Sequence, residues 1–254
     1  MPEKPQAMTG RRRIHAAFRH EAVDRVPIFD QSISSGLASK VMGREMLLGG
    51  GELRFREVEA RFESPHAGAE FEERMIGDVA TFYKTMGYDM FRLPWRDTRK
   101  ASRRLDEKTY LFGTDDNSGK EAPWEIYRFS AESDNWHQMD SWLAGGNVDR
   151  LFGWLKKENS LWQGPDRDPS RFDSLRRFKS LLGDDTALAV TVASLMVPMW
   201  ETAWLMALEI EPELVAGELD RQVEQGLADL EEVAVIGVDV IHAGGDFCLN
   251  SGPV

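Results

Sequence analysis

A chain of 254 residues is the size of one ordinary domain. Its 42% hydrophobic residues, with 8 Trp and 13 Phe, supply a core and exclude wholesale disorder. Lysine and arginine number 31 against 43 aspartate and glutamate, a formal net charge of −12, which argues against a nucleic-acid groove and against binding to anionic membranes, since both want a basic face. No apolar run approaches the ~20 residues that span a bilayer, and the polar, basic N-terminus has no signal-peptide core. The single cysteine, Cys248, cannot form an internal disulfide, so a cytoplasmic protein is the expectation.

Residues 1–8, with Pro2 and Pro5, read as a disordered lead-in. Thr9 is placed to cap a helix running to about Glu21, with Ile14, Ala17 and Phe18 on one face. Val26-Pro27-Ile28-Phe29 is apolar, β-rich and too short for a helix, and it predicts a first strand with Pro27 at its start. Helices are expected over 53–62 and from Phe71 to Met86, the second ended by Gly87, before a second strand over 88–93. Strand, helices, strand is the order of a parallel α/β protein. Residues 96–165 interrupt it. There, 108–113 and 124–129 predict a hairpin around the turn-rich 115–119, followed by a helix over 148–157. This block reads as an insertion over the main sheet, carrying Trp124, Trp136, Trp142 and Trp154. Asp168-Pro169 opens a helix that Gly183 ends, and 187–194 is a third strand. A short helix over 199–208 leads to a long one from Pro212, with an apolar stripe of Val215, Leu219, Val223, Leu227, Leu230 and Ala234. Gly237 stops it, and 238–242 is a fourth strand. Four strands with covering helices point to a (β/α)8 TIM barrel cut short after about its fourth strand, in the N-terminal part of a longer protein. An open α/β sheet is the alternative.

In both architectures function gathers at the carboxyl ends of the strands. That rule selects Asp30 after strand one, Arg92 ending strand two (Trp95 and Arg96 beyond it), and Trp200 and Glu201 after strand three. At strand four it selects His242 with the Gly244-Gly245-Asp246-Phe247-Cys248 run and Asn250. Two glycines after a strand let the backbone approach a ligand, and His, Asp and Cys supply acid, base or ligand atoms. Asp246 can equally cap a turn, His242 can hydrogen-bond inside the core, and Cys248 can be a small buried hydrophobe. Arg92 can clamp an anionic group or pair with an acid. Glu201 can be a base, a metal ligand or a solvated helix start. No phosphate loop, G-x-S-x-G or H-E-x-x-H is present.

Two stretches together resemble the uroporphyrinogen decarboxylase superfamily: MTGRRRIHAAFRHEAVDRVPI at 8–28, and GVDVIHAGGDFCLNSGPV at 237–254. The resemblance implies a (β/α)8 barrel over 9–254, with 96–165 inserted and a deep cleft at the strand carboxyl ends. It also places Asp246 at that family's strand-end acidic position. Its members decarboxylate the acetate arms of uroporphyrinogen without a cofactor, or transfer methyl groups to or from corrinoids, often with zinc. This chain departs from the true decarboxylase, because Ile28 to Met42 holds no arginine and Arg92-Leu93-Pro94-Trp95 stands where the catalytic aspartate is expected. The resemblance therefore points to a methyltransferase working with a corrinoid protein, with a decarboxylase of a porphyrinogen or other polycarboxylate, or a non-catalytic ligand-binding barrel, as alternatives. Asp246 with His242 would act on a small-molecule substrate held by Asp30, Arg92, Trp200, Glu201 and Asn250. The zinc ligands of that branch would lie beyond Val254, no cofactor or metal site is assigned within the chain, and a homodimer is implied.

Overall fold

In the sequence Gly87-Tyr88-Asp89 and again in Gly237-Val238-Asp239, a helix ends and a strand begins within three residues. Both glycines adopt left-handed backbone, φ 68° and 81°, a conformation other residues enter only at a cost. The structure, a computed structural model, describes residues 7–113 and 123–244, and the backbone of 248–249 and 252–253. Its elements are α1 (Gly10–Phe18), α2 (Ser35–Met42), α3 (Gly50–Glu63), α4 (Pro65–Met86), β1 (Met90–Arg92), β2 (Arg103–Asp106), β3 (Thr109–Gly113), β4 (Trp124–Ser130) and β5 (Asn135–Ser141). These are followed by α5 (Val148–Leu161), a 3-10 turn (Pro169–Phe172) running into α6 (Asp173–Leu182), β6 (Ala187–Thr191), α7 (Thr202–Ile210), α8 (Pro212–Ile236) and β7 (Val240–His242).

β1, β6 and β7 form a parallel sheet in that order, and β2 to β5 form an antiparallel sheet in sequence order. The fold is mixed α/β, and no closed barrel occurs among the described residues. None of the described helices is long and apolar enough to cross a membrane. Side chains alternate between the two faces of the parallel sheet. Phe91, Leu188 and Val190 pack outward on α4, α6 and the second half of α8. Met90, Ala187, Ala189 and Val240 lie on the other face, where Ile14 of α1 packs against them.

What fixes α1 there is a pair of buried carboxylates at the start of the strands. Asp89 receives Arg13 and both terminal nitrogens of Arg25 (2.7 and 2.8 Å), and it accepts the Ile28 N–H at 2.7 Å. Asp239 accepts Arg11 Nε at 2.6 Å, pairs with His15 Nε2 at 2.7 Å and takes the Leu188 N–H at 3.0 Å. Gly10 makes the approach possible, since a Cβ there would sit 2.9 Å from the Asp89 Cα.

The expected first strand, 26–29, is not a strand. Pro27 has no N–H, and Ile28 gives its own to the Asp89 side chain. One strand-like bond remains, from Asp89 N to Ile28 O at 2.9 Å. The first helix ends at Phe18 rather than near Glu21. Residues 1–6 of the expected lead-in lie outside the described residues, whereas Met8 is tied down, its N–H on Asp24 and its carbonyl accepting from Arg13.

The hairpin is present as β3 and β4, with Tyr110 opposite Tyr127, but 115–119 lies outside the described residues. The inserted sheet packs on α3, not over the parallel sheet: Trp136 joins Tyr110, Phe112 and Val58. The other three tryptophans of the insertion belong to a separate core of α5, α7 and the start of α8. This division also breaks the stripe expected on α8. Val215 and Leu219 serve the second core and Leu230 the first, while Val223 and Leu227 between them are 42% and 58% exposed.

Removing the Asp89 carboxylate leaves Arg13 buried with one partner fewer. Asp89→Ala is therefore expected to cost about 3–5 kcal/mol in urea unfolding, and a loss under 1 kcal/mol would show that α1 is held otherwise. Burial pushes the Asp239 carboxyl up, but bonds from His15, Leu188 N–H and Arg11 outweigh it and hold it below its ordinary value. Asp24 is lowered too, by Arg13 first and then by the Met8 N–H. A depressed carboxylate stabilises the fold above its unfolded pKa, about 3.9, and loses that contribution as pH falls through the folded value. Stability should hold down to about pH 4 and then fall, and Asp239→Asn should flatten the fall.

Candidate functional site

The last residues of the three parallel strands are Arg92, Thr191 and His242. The strand register sets Arg92 against Ala189 and Thr191 against His242, and alternation puts all three on the face of Met90, Ala187 and Val240. They form a row across the carboxyl edge of the sheet. Thr191 Oγ1 lies 3.4 Å from His242 Nδ1, and both side chains are open to solvent. The ring therefore has Nε2 free for a ligand among the described residues, and it is not a core histidine.

Beside this row is a cavity of about 240 Å3 lined by Arg92, Trp95, Arg96, Arg171, Phe172 and Thr191, among others. Its three arginines differ in what holds them. Arg96 donates to the fully buried Glu57 and to Glu72 at 2.7 Å. Arg171 is paired with Asp229 at 2.8 Å. Arg92 is 2% exposed and has no acid partner among the described residues. Its Nε reaches the Leu93 carbonyl at 3.3 Å, its Nη1 is buried without a partner among the described residues, and its guanidinium lies 4.4 Å from the centre of the Trp95 ring. Burial pushes its pKa below the usual arginine value. Burying a cation without a counter-charge is costly, and the salt bridge that the residue type also allowed is absent among the described residues.

The loop leaving β6 is held in an unusual conformation. Ala193 has φ 56°, a left-handed value rare outside glycine, and it sits against Gly226 of α8, where a Cβ would come within 2.9 Å of the Ala193 side chain. Backbone of this kind persists where the surroundings over-determine it.

The structure brings together some of the residues expected from sequence and separates others. Arg92 and His242 share the strand-end row. Asp30 is half-buried and accepts the Ser32 N–H at 3.0 Å. Its charge, after burial, helps push the Tyr83 hydroxyl up to about 12. Trp200 and Glu201 do not line the Arg92 cavity. Glu201 accepts from Gln138 of β5, and the Trp200 indole N–H, on a side chain 64% exposed, donates to the same amide at 3.4 Å. The two thus form a polar link to the inserted sheet. Asp246 and Asn250 lie outside the described residues, and Cys248 is described in its backbone alone, paired with Pro253.

Sequence reasoning missed Thr191, Arg171 and Phe172. Thr191 had a signal, since it follows Ala187 and Ala189 at a spacing of two and ends a strand. Arg171 and Phe172 had none, because they arrive from the turn that opens α6. Among the described residues no group of three His, Cys, Asp or Glu is placed to hold a metal ion.

An unpaired buried guanidinium destabilises the ligand-free fold. Arg92→Met is expected to raise stability by about 1–3 kcal/mol, read as a higher midpoint in urea; a lower midpoint would show that the charge is satisfied in the folded protein. In comparison with known proteins, the chain matches no family model, no curated protein and no solved structure.

Proposed function

We propose that the chain is part of a uroporphyrinogen-decarboxylase-like (β/α)8 barrel enzyme whose cleft opens at the carboxyl ends of β1, β6 and β7 and receives a small anionic substrate. One observation carries this reading: Arg92, Thr191 and His242 end three adjacent parallel strands on one face, with an acid-free buried arginine among them. Supporting it, α1 seals the opposite end of that face through Asp89 and Asp239, which leaves the carboxyl end as the open side.

The reaction proposed is methyl transfer with a corrinoid protein as partner, on the absence of arginine from 28–42 and of an aspartate at 92–95. The corrinoid would be the partner's, no zinc ligand set is present among the described residues, and no step is derived through either group. What this chain's residues do is bind and position. Arg92 orients an anionic group, and His242 holds or moves a proton at Nε2 while Thr191 faces Nδ1. The unpaired Arg92 favours one second reading, decarboxylation of a carboxylate substrate in the same cleft.

The two chemistries separate in one assay. The protein incubated with methylcobalamin and a thiol is expected to demethylate the corrinoid, followed by the loss of its absorbance. His242→Ala is expected to slow this about 10²-fold with the fold intact by circular dichroism. Release of carbon dioxide from a polycarboxylate without demethylation would move the assignment to the decarboxylase, and neither product would leave a ligand-binding barrel.

A further inference from the structure

We propose that the cavity beside Arg92 is a subsite for a small aromatic carboxylate, with the carboxylate on the Arg92 guanidinium and the ring against Trp95. This rests on the reading of the strand ends as a substrate cleft, and it names the class of molecule that the cleft takes.

Three features select that ligand. First, the buried Arg92 has a nitrogen without a partner, whereas the two other arginines of the lining are neutralised by Glu57, Glu72 and Asp229. An incoming anion would supply the counter-charge that the fold withholds. Second, the centre of the Trp95 ring lies 4.4 Å from the guanidinium, so cation and ring stand together in the cavity lining. A planar carboxylate is the anion shape that a guanidinium can take through two bonds. Third, Trp95 is 49% exposed, and Leu93, Pro94, Phe172 and Val190 add apolar wall to the same cavity. A bare carboxylate would leave this surface wet, while an aromatic ring covers it.

The cavity volume of about 240 Å3 lies below the ~300–1,000 Å3 of sites for drug-sized ligands. It therefore holds a molecule of one ring, or one arm of a larger one. A phosphate fits worse. Three oxygens ask for a nest of backbone N–H groups or several free cations, and the lining contains neither glycine nor lysine.

The test uses tryptophan fluorescence of the purified protein, titrated at constant ionic strength with benzoate as probe. Benzoate is expected to quench the signal in a saturable way. Benzamide, which has the same shape without the charge, should bind at least tenfold more weakly, and inorganic phosphate should not displace benzoate. Arg92→Met should weaken benzoate at least tenfold. Trp95→Ala, at a half-exposed position, should remove most of the quenching and weaken binding several-fold, and it keeps the test open if the first variant fails to fold. Equal affinity for benzamide, unchanged binding in either variant, or displacement by phosphate would overturn the subsite. Benzoate binding as expected without demethylation or carbon dioxide release would leave the subsite standing and remove the enzyme reading. Turnover without benzoate binding would do the reverse.

Discussion

The buried carboxylate of Asp89 is the constraint on which the parallel part of the structure depends. It sits one residue before β1 and binds two arginines and a main-chain N–H from segments that precede it by more than sixty residues. A charge at 2% exposure is tolerable only when paired and hydrogen-bonded on all sides. The positions of α1 and of residues 25–28 are therefore coupled to the start of the sheet. Asp239 repeats the arrangement before β7 with Arg11 and His15. Because Arg11 and Arg13 are two residues apart on one short helix, α1 must lie across both strand starts at once.

That coupling gives the sheet two unlike ends. At the amino end the buried carboxylates of Asp89 and Asp239 are both matched by cations. At the carboxyl end Arg92 is left bare, three residues beyond the carboxylate that secures the other end of its strand. The contrast with Arg96 is informative, since the two residues are four apart and line the same cavity. Arg96 is committed to Glu57 and Glu72 and so builds the floor between α3, α4 and α6. Arg92 has no such commitment among the described residues, although the strand holds it just as rigidly.

The insertion has its own logic. It does not shield the parallel sheet. It forms an aromatic core with α3, and its later part, through α5, forms another with α7 and α8. Gln138 joins the inserted sheet to the loop after β6 by holding Glu201 and Trp200. The same loop carries the left-handed Ala193 against α8. The path from β6 to α7 is thereby fixed at both ends, which is what a strand-end site requires of its loops.

The sequence by itself determined three of the helix ends and the two strands of the hairpin. Gly87, Gly183 and Gly237 end helices for reasons local to the backbone, and the hairpin strands carry their own β-branched and aromatic pattern. It also marked Arg92 and His242, because strand-end position follows from strand assignment. Tertiary structure decided the rest. Whether Arg92 is paired depends on acids distant in the chain, and Glu57 and Asp229 go instead to its neighbours. Thr191 gains its place from register with β7, and Phe172 and Arg171 from the packing of α6 on the sheet. Residues 26–29 have the composition of a strand, yet the Ile28 N–H goes to a side chain about sixty residues away. Val223 and Leu227 have the spacing of a buried stripe, yet α8 serves two cores whose directions differ. Local rules act through neighbouring dihedrals and side-chain spacing; charge compensation and burial depend on which distant groups arrive, and only the folded chain sets that.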